Sequence, residues 1–277
     1  MTGYDLSLGF IGLGALGLPM AANLRKAGFR LNVHTRSRSP EAAPELLGTR
    51  SCASPAETAE TVDVLMLCVS DDTAVENVLF GPHGAASALQ PGSVVVDCST
   101  IAPATAMDCA ERLGRQGVTY LDAPVTGGTE GAKAGTLTLL VGGEADALER
   151  VRPLLEVIGG TIHHFGQVGR GQQVKAVNQV LVAGSYAAVA EAMALGERLD
   201  LPMDQVVEAL RGGAAGSWAL EHRAPGMLRG AYPLGFRLAL HHKDLGIALD
   251  AAESVQLELP ISRSEEHTSE LQSPMYL

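Results

Sequence analysis

Three glycines at fixed spacing near the N-terminus constrain this chain more than any other feature. Gly12-Leu13-Gly14-Ala15-Leu16-Gly17 reads G-x-G-x-x-G. In a chain with 32 glycines among 277 residues, that spacing carries weight only through its context. The apolar run Leu8-Gly9-Phe10-Ile11 precedes it, a helical stretch from Leu16 to Ala27 follows, and Gly28 suits the position just past a helix end. Leu31 to His34 then reads as a second strand. Strand, turn, helix and strand together are the setting in which this motif holds a dinucleotide pyrophosphate. Gly12 permits the tight turn, Gly14 lets the backbone approach the phosphates, and Gly17 lets the helix pack close to the sheet. The helix N-terminus supplies N–H groups and partial positive charge. All six turn residues, Gly12, Leu13, Gly14, Ala15, Leu16 and Gly17, are candidate cofactor contacts.

The end of the second strand bears on which dinucleotide is held. An NAD site usually places Asp or Glu there to bind the ribose 2′-hydroxyl. This chain reads His34-Thr35-Arg36-Ser37-Arg38, with no carboxylate and two guanidinium groups. Arg36 can cover an adenine and pair with a 2′-phosphate, and Ser37 can add a hydrogen bond. Thr35 to Ser37 therefore predict NADP(H), with NAD(H) as the alternative. The competing reading leaves both arginines as solvated loop charges.

Further runs at Val62–Val69, Val94–Asp97, Val118–Leu121 and Leu137–Val141 read as strands separated by helix-length segments. That alternation predicts a doubly wound α/β sheet of the Rossmann type. From Gly171 to Leu201 there is no proline, and apolar residues recur at helical spacing. More helical stretches follow Pro202. The expected organisation is a dinucleotide-binding domain over 1–165 and a long helix with an all-α domain over 166–262.

Composition excludes several classes. Hydrophobic residues make up 46% and charged residues 18%, enough apolar material for a real core. A net charge of -11 repels phosphate polymers, so nucleic acid is not an expected partner. Four cysteines without a C-x-x-C suggest reduced thiols in a cytoplasmic protein, and no metal site is expected. The uncharged run Asn77–Val96 contains two prolines and three glycines, so it is not one apolar membrane helix. Leu6–Ala22 lacks the basic flank of a signal peptide.

Three segments offer chemistry. Lys175 and Asn178 stand three apart on the long helix and share a face. A lysine in a partly desolvated pocket can donate a proton, although a lysine on a helix is more often a surface charge. Asp97 to Thr100 closes the fourth strand and Asp122 to Gly128 the fifth, both where open α/β sheets bind ligands. Thr126-Gly127-Gly128 offers a hydroxyl and two backbone N–H groups suited to a substrate carboxylate. Its competing reading is an ordinary glycine turn.

These residues together resemble the β-hydroxyacid dehydrogenases. The resemblance runs from Gly9 to about Ser262 and rests on four motifs in the family's order. They are Gly9 to Gly14 continuing through Met20-Ala21-Ala22-Asn23-Leu24, then Asp122 to Gly128, then Gly169-Arg170-Gly171 through Lys175 to Asn178, and Lys243-Asp244-Leu245. It implies that Lys175 is the catalytic lysine, that Asn178 holds substrate and orients it, and that Thr126, Gly127 and Gly128 bind the carboxylate. Many members carry Ser where this chain has Thr126. Thr100 and Lys243 would contact the nicotinamide side of the cofactor, and Cys68, Val69 and Ser70 would lie under its ribose. Phe236 and Asp244 match pocket positions of semialdehyde reductases. The implied activity is hydride transfer between NADP(H) and a short semialdehyde or β-hydroxyacid, such as tartronate semialdehyde, 3-hydroxyisobutyrate, succinic semialdehyde or glyoxylate. The implied assembly is a homodimer or homotetramer where the C-terminal domain is complete. An imine reductase shares the architecture, but its lysine position usually carries another residue. A non-catalytic NADP-binding module is the third reading.

Residues 263–277 depart from the family pattern. Arg263 to Ser273 looks like the translation of a sequencing-adapter oligonucleotide and continues no apolar period. The expectation is a foreign tail and a shortened helical domain.

Overall fold

The computed structural model describes residues 6–36, 43–232 and 237–264. Two compact units divide between Lys175 and Ala176. The division falls inside a continuous helix, past the expected boundary at 165/166.

In the N-terminal unit the chain alternates strand and helix. The order is β1 (Ser7–Ile11), α1 (Gly17–Lys26), β2 (Arg30–His34), β3 (Arg50–Ser51), α2 (Pro55–Ala59), β4 (Val64–Leu67), α3 (Asp72–Phe80), β5 (Val94–Asp97), α4 (Pro103–Gly114), β6 (Thr119–Asp122), β7 (Val125–Thr126), α5 (Gly128–Ala134), β8 (Leu137–Val141), α6 (Ala145–Ile158) and β9 (Gly159–His164). Six strands form a parallel sheet in the order β3-β2-β1-β4-β5-β6. Strands β4 and β5 are buried at every position, as the uninterrupted apolar runs require of central parallel strands.

Each face of the sheet has its own core. Leu8, Phe10, Val33, Met66 and Val96 pack with Met20 and Leu24 of α1 and Val151 and Leu155 of α6. Ile11, Leu65, Leu67 and Val95 pack with Val75 and Leu79 of α3 and Cys109 and Leu113 of α4. The strand order reverses between β1 and β4, so their carboxyl ends flank the switch point at which doubly wound sheets hold ligands.

One expectation needs correction. Leu137–Val141 is a strand, but it does not extend the parallel sheet. It is the centre of a second sheet, β7-β8-β9, antiparallel to β7 and parallel to β9. The small sheet meets the large one through a bridge between Asp122 and Gly142. Its inward residues Leu137, Leu139 and Val141 join the α1/α6 core.

The helix that spans the division is α7 (Arg170–Arg198). The C-terminal unit continues with α8 (Met203–Arg211), α9 (Trp218–His222), α10 (Ala224–Leu228) and α11 (Leu238–Ser254). Val189 and Met193 of α7 pack with Val207, Ala219, Leu220 and Ala224. Ser217 caps α9 by accepting the Leu220 N–H at 3.0 Å.

Among the described residues α7 alone is long and apolar enough to cross a membrane. Val177, Leu181, Leu195 and Leu199 are exposed. At 3.6 residues per turn they fall within about 40° of one another, with Ala188 between them. The stripe reads the same from either end about Ala188: Leu181 pairs with Leu195 and Val177 with Leu199, large at the ends and small at the centre.

Candidate active site

The phosphate-binding turn takes its shape from the fold. Gly12 sits at φ +101° and donates its N–H to the His34 carbonyl at 2.9 Å. A Cβ at Gly12 would overlap the Cys68 carbonyl, and one at Gly17 would overlap the Gly12 carbonyl. Packing alone therefore requires both glycines. Gly14 differs: a side chain there would meet nothing within 4 Å. Folding does not require glycine at that position, and a closely approaching phosphate does. No side chain caps α1 and no acidic residue stands in its first turn, which leaves its dipole available to an anion. These residues fit a dinucleotide.

The end of β2 follows. His34 turns its Nδ1 to the Cys52 carbonyl at 2.9 Å. Thr35 is half-buried and Arg36 is exposed. Ser37 and Arg38 lie outside the described residues.

The loops after β4 and β5 are joined to each other. The Val69 N–H donates to Ser99 Oγ at 2.9 Å. The Ser99 N–H donates to Asp97 Oδ1 at 2.8 Å, and the Tyr120 hydroxyl donates to Asp97 Oδ2 at 2.8 Å. Burial pushes the Asp97 carboxyl above its ordinary range, against the pull of these donors. Burial, with Asp97 nearby, raises the Cys68 thiol to about 12, so Cys68 is a neutral wall rather than a nucleophile. Ser70 is exposed and donates to Asp71 at 2.6 Å, and Thr100 is half-buried.

Beyond β6 lie the residues singled out as catalytic and substrate-binding candidates. Lys175 is only 8% exposed, and its Nζ donates to the Val125 carbonyl at 2.9 Å. The next residue is Thr126, half-buried, followed by exposed Gly127 and Gly128 at the start of α5. The ammonium is thus tied to the residue before the turn suited to a carboxylate. Asn23 of α1 donates from Nδ2 to the Ala132 carbonyl at 2.9 Å, so the phosphate helix is bonded to the helix that follows this turn.

Two residues behind Lys175 were not singled out from sequence as site residues. Gln172 is 1% exposed, and its side chain bonds to the backbone of Ser99 and Ile101. Asp122 accepts N–H groups from the start of α7. The sequence does carry a signal for the first: Gln172, Lys175 and Gln179 recur at helical spacing and place polar groups on one face of α7.

In the C-terminal unit, Asn178 Nδ2 donates to Gln179 Oε1 at 2.7 Å. Gln179 in turn donates from Nε2 to Asp244 Oδ2 at 2.7 Å, and Lys243 Nζ stands 2.8 Å from Asp244 Oδ1. Asp244 is buried and joins α7 to α11 with its charge matched by Lys243. Phe236 lies outside the described residues. No cluster of His, Cys, Asp and Glu among the described residues is arranged to hold a metal ion.

Residues 7–166 match the family model for the NAD-binding domain of 6-phosphogluconate dehydrogenase. Residues 169–272 match the model for the NAD-binding region of NADP-dependent 3-hydroxyisobutyrate dehydrogenase. The chain belongs to the β-hydroxyacid dehydrogenase family. The 2-hydroxy-3-oxopropionate reductase of Escherichia coli is 41% identical over 92% of this chain and 87% of its own. A 3-hydroxyisobutyrate dehydrogenase crystal structure from Salmonella typhimurium has a TM-score of 0.88 at 32% identity, covering 98% of this chain and 95% of that one. A structure titled Psf3 in complex with NADP+ and 2-OPP has a TM-score of 0.89 at 29% identity, covering 97% and 95%. As a β-hydroxyacid dehydrogenase this protein is an oxidoreductase of small hydroxyacids that uses a nicotinamide dinucleotide.

Proposed function

We propose that the protein interconverts short carboxylate-bearing aldehydes and the corresponding hydroxyacids with NADP(H). The candidate substrates are tartronate semialdehyde, methylmalonate semialdehyde (giving 3-hydroxyisobutyrate), succinic semialdehyde and glyoxylate. The observation that carries this reading is the buried Lys175 ammonium bonded to Val125, one residue before Thr126.

Each residue then has a task. The Thr126 hydroxyl and the N–H groups of Gly127 and Gly128 bind the substrate carboxylate, which fixes the carbonyl in place. Lys175 stabilises negative charge developing on the carbonyl oxygen and delivers a proton to it. In the reverse direction Lys175 takes the alcohol proton. Asn178 orients the substrate and the lysine. When bound, the nicotinamide supplies or accepts the hydride. The Gly12–Gly17 turn holds the pyrophosphate, and Arg36 pairs with the 2′-phosphate. The family resemblance assigns Cys68, Val69, Ser70, Thr100 and Lys243 to the cofactor and Phe236 and Asp244 to the substrate. The NADP+ complex of a neighbour supports the cofactor choice.

The working form is a cytoplasmic homo-oligomer. Its support is the exposed α7 stripe, whose symmetry about Ala188 suits an antiparallel pairing with a second copy across a two-fold axis. Exposed Glu191 and Glu197 on the same helix argue against a lipid environment.

The test is an NADPH-oxidation assay with the four aldehydes on the wild type and on Lys175→Ala. The variant is expected to lose about two to four decades of kcat, the usual general-acid contribution, with NADPH affinity unchanged. Near-normal turnover in the variant overturns the reading.

A further inference from the structure

We propose that Asp122 and Gln172 are positioning residues for Lys175: they pin the first turn of α7 to the carboxyl ends of β5 and β6 and so set where the ammonium stands. The inference rests on Lys175 being the proton donor.

The helix begins with N–H groups that have no partner within it. Most helices meet this need with a local Ser, Thr, Asp or Asn. Here the partner comes from the sheet. Asp122 Oδ1 accepts the Gly169 N–H at 2.8 Å, and Oδ2 accepts the Gln172 N–H at 2.9 Å. Asp122 is itself immobilised, because its backbone exchanges hydrogen bonds with Gly142 at 3.1 and 2.8 Å. A negative group at this helix end also suits the macrodipole.

Gln172 makes the second attachment. Its Nε2 donates to the Ser99 carbonyl at 2.9 Å, and its Oε1 accepts the Ile101 N–H at 3.2 Å. These two bonds tie α7 to the loop after β5. The third attachment is Lys175 itself, bonded to Val125 on the segment that begins with Asp122. One stretch of chain therefore grips the helix start with a carboxylate and the reactive ammonium with a carbonyl. A helix capped from the strand end has its first turn defined in the sheet's frame, where the substrate turn is also fixed.

The experiment compares Asp122→Asn, Gln172→Met and Lys175→Ala with the wild type. It reads kcat per folded molecule, KM for the aldehyde, NADPH affinity and the pH profile of kcat. Asparagine keeps the shape of Asp122 but turns an N–H toward N–H donors. Methionine keeps the length of Gln172 and removes both side-chain bonds, which guards against misfolding of the first variant. Each is expected to lower kcat by up to about 100-fold, the cost of misplacing a reacting group by about 1 Å. KM and NADPH affinity stay near wild type, and the limb of the pH profile set by Lys175 moves. Wild-type kcat and an unmoved profile in both positioning variants, with Lys175→Ala inactive, overturn this proposal and leave the chemistry standing. Wild-type turnover in Lys175→Ala overturns both.

Discussion

Asp97 and Asp122 are register partners at the carboxyl ends of adjacent parallel strands, and both carboxyl groups are buried. Each is met by N–H or O–H donors, Asp97 by Ser99 and Tyr120, Asp122 by Gly169 and Gln172. Burial lifts both above the ordinary carboxylate range, with a smaller contribution to Asp97 from Asp122. One carboxylate holds the loops after β4 and β5, and the other holds the start of α7.

This pair gives a pH prediction with a definite sign. A carboxyl group that titrates higher in the folded state binds its proton more tightly there than in the unfolded chain. Its stabilisation is complete below the unfolded value, about 4, and is lost as pH rises through the folded value. Asp97→Asn removes one such group. The Tm of the variant minus that of the wild type should therefore become more positive between pH 4 and pH 7. Thermal melts across that range check this, and a flat or falling difference contradicts it.

The phosphate turn separates folding from binding. Gly14→Val places a side chain where the protein has no neighbour, so the unfolding free energy of the free protein should stay within roughly 0.5 kcal/mol of wild type, as is typical of surface changes. Cofactor affinity should fall by about tenfold or more, the worth of a lost charge-assisted hydrogen bond. Gly12→Ala should do the opposite first, destabilising the fold through its positive φ and the overlap with Cys68. Melting curves and cofactor titrations on both variants distinguish the cases.

The same turn shows what was legible in sequence. Gly12 to Gly17, α1 and β2 are local in the chain, so spacing and periodicity expose them. The strand at Leu137–Val141 was also legible, but its sheet was not, because alternation does not say which strand lies beside it. Its partners were hard to see: β7 has two residues and β9 begins with Gly159-Gly160. The Val62–Val69 run overreached β4, because apolar residues continue into the loop that carries Cys68. In the site, Lys175 and Thr126 came from motifs. The roles of Asp122 and Gln172 come from contacts 50 and 73 residues away in the chain, which no local pattern encodes.

The proposed NADP(H) preference rests on Arg36, which is exposed just past β2. Arg36→Glu removes a guanidinium partner for a 2′-phosphate and supplies a carboxylate. The ratio of kcat/KM with NADPH to that with NADH should fall by about tenfold or more, as expected for a charge-assisted contact. An unchanged ratio would assign the preference elsewhere.

The α7 stripe predicts the assembly. Leu181→Lys combined with Leu195→Lys puts charges on both sides of Ala188 in the self-complementary face. Light scattering should show a dimer for the wild type and a smaller species for the double variant. The far-ultraviolet spectrum should be unchanged, since both positions are exposed in the single chain. A monomeric wild type, or an unaffected variant, contradicts the pairing.

The bond from Asn23 to the Ala132 carbonyl has a practical meaning for anyone redesigning this enzyme. On the proposed assignments it ties the helix behind the dinucleotide turn to the helix behind the substrate turn. Altering side chains around Thr126 should therefore retune which acid is accepted while the dinucleotide end keeps its alignment, provided Asn23 is left untouched.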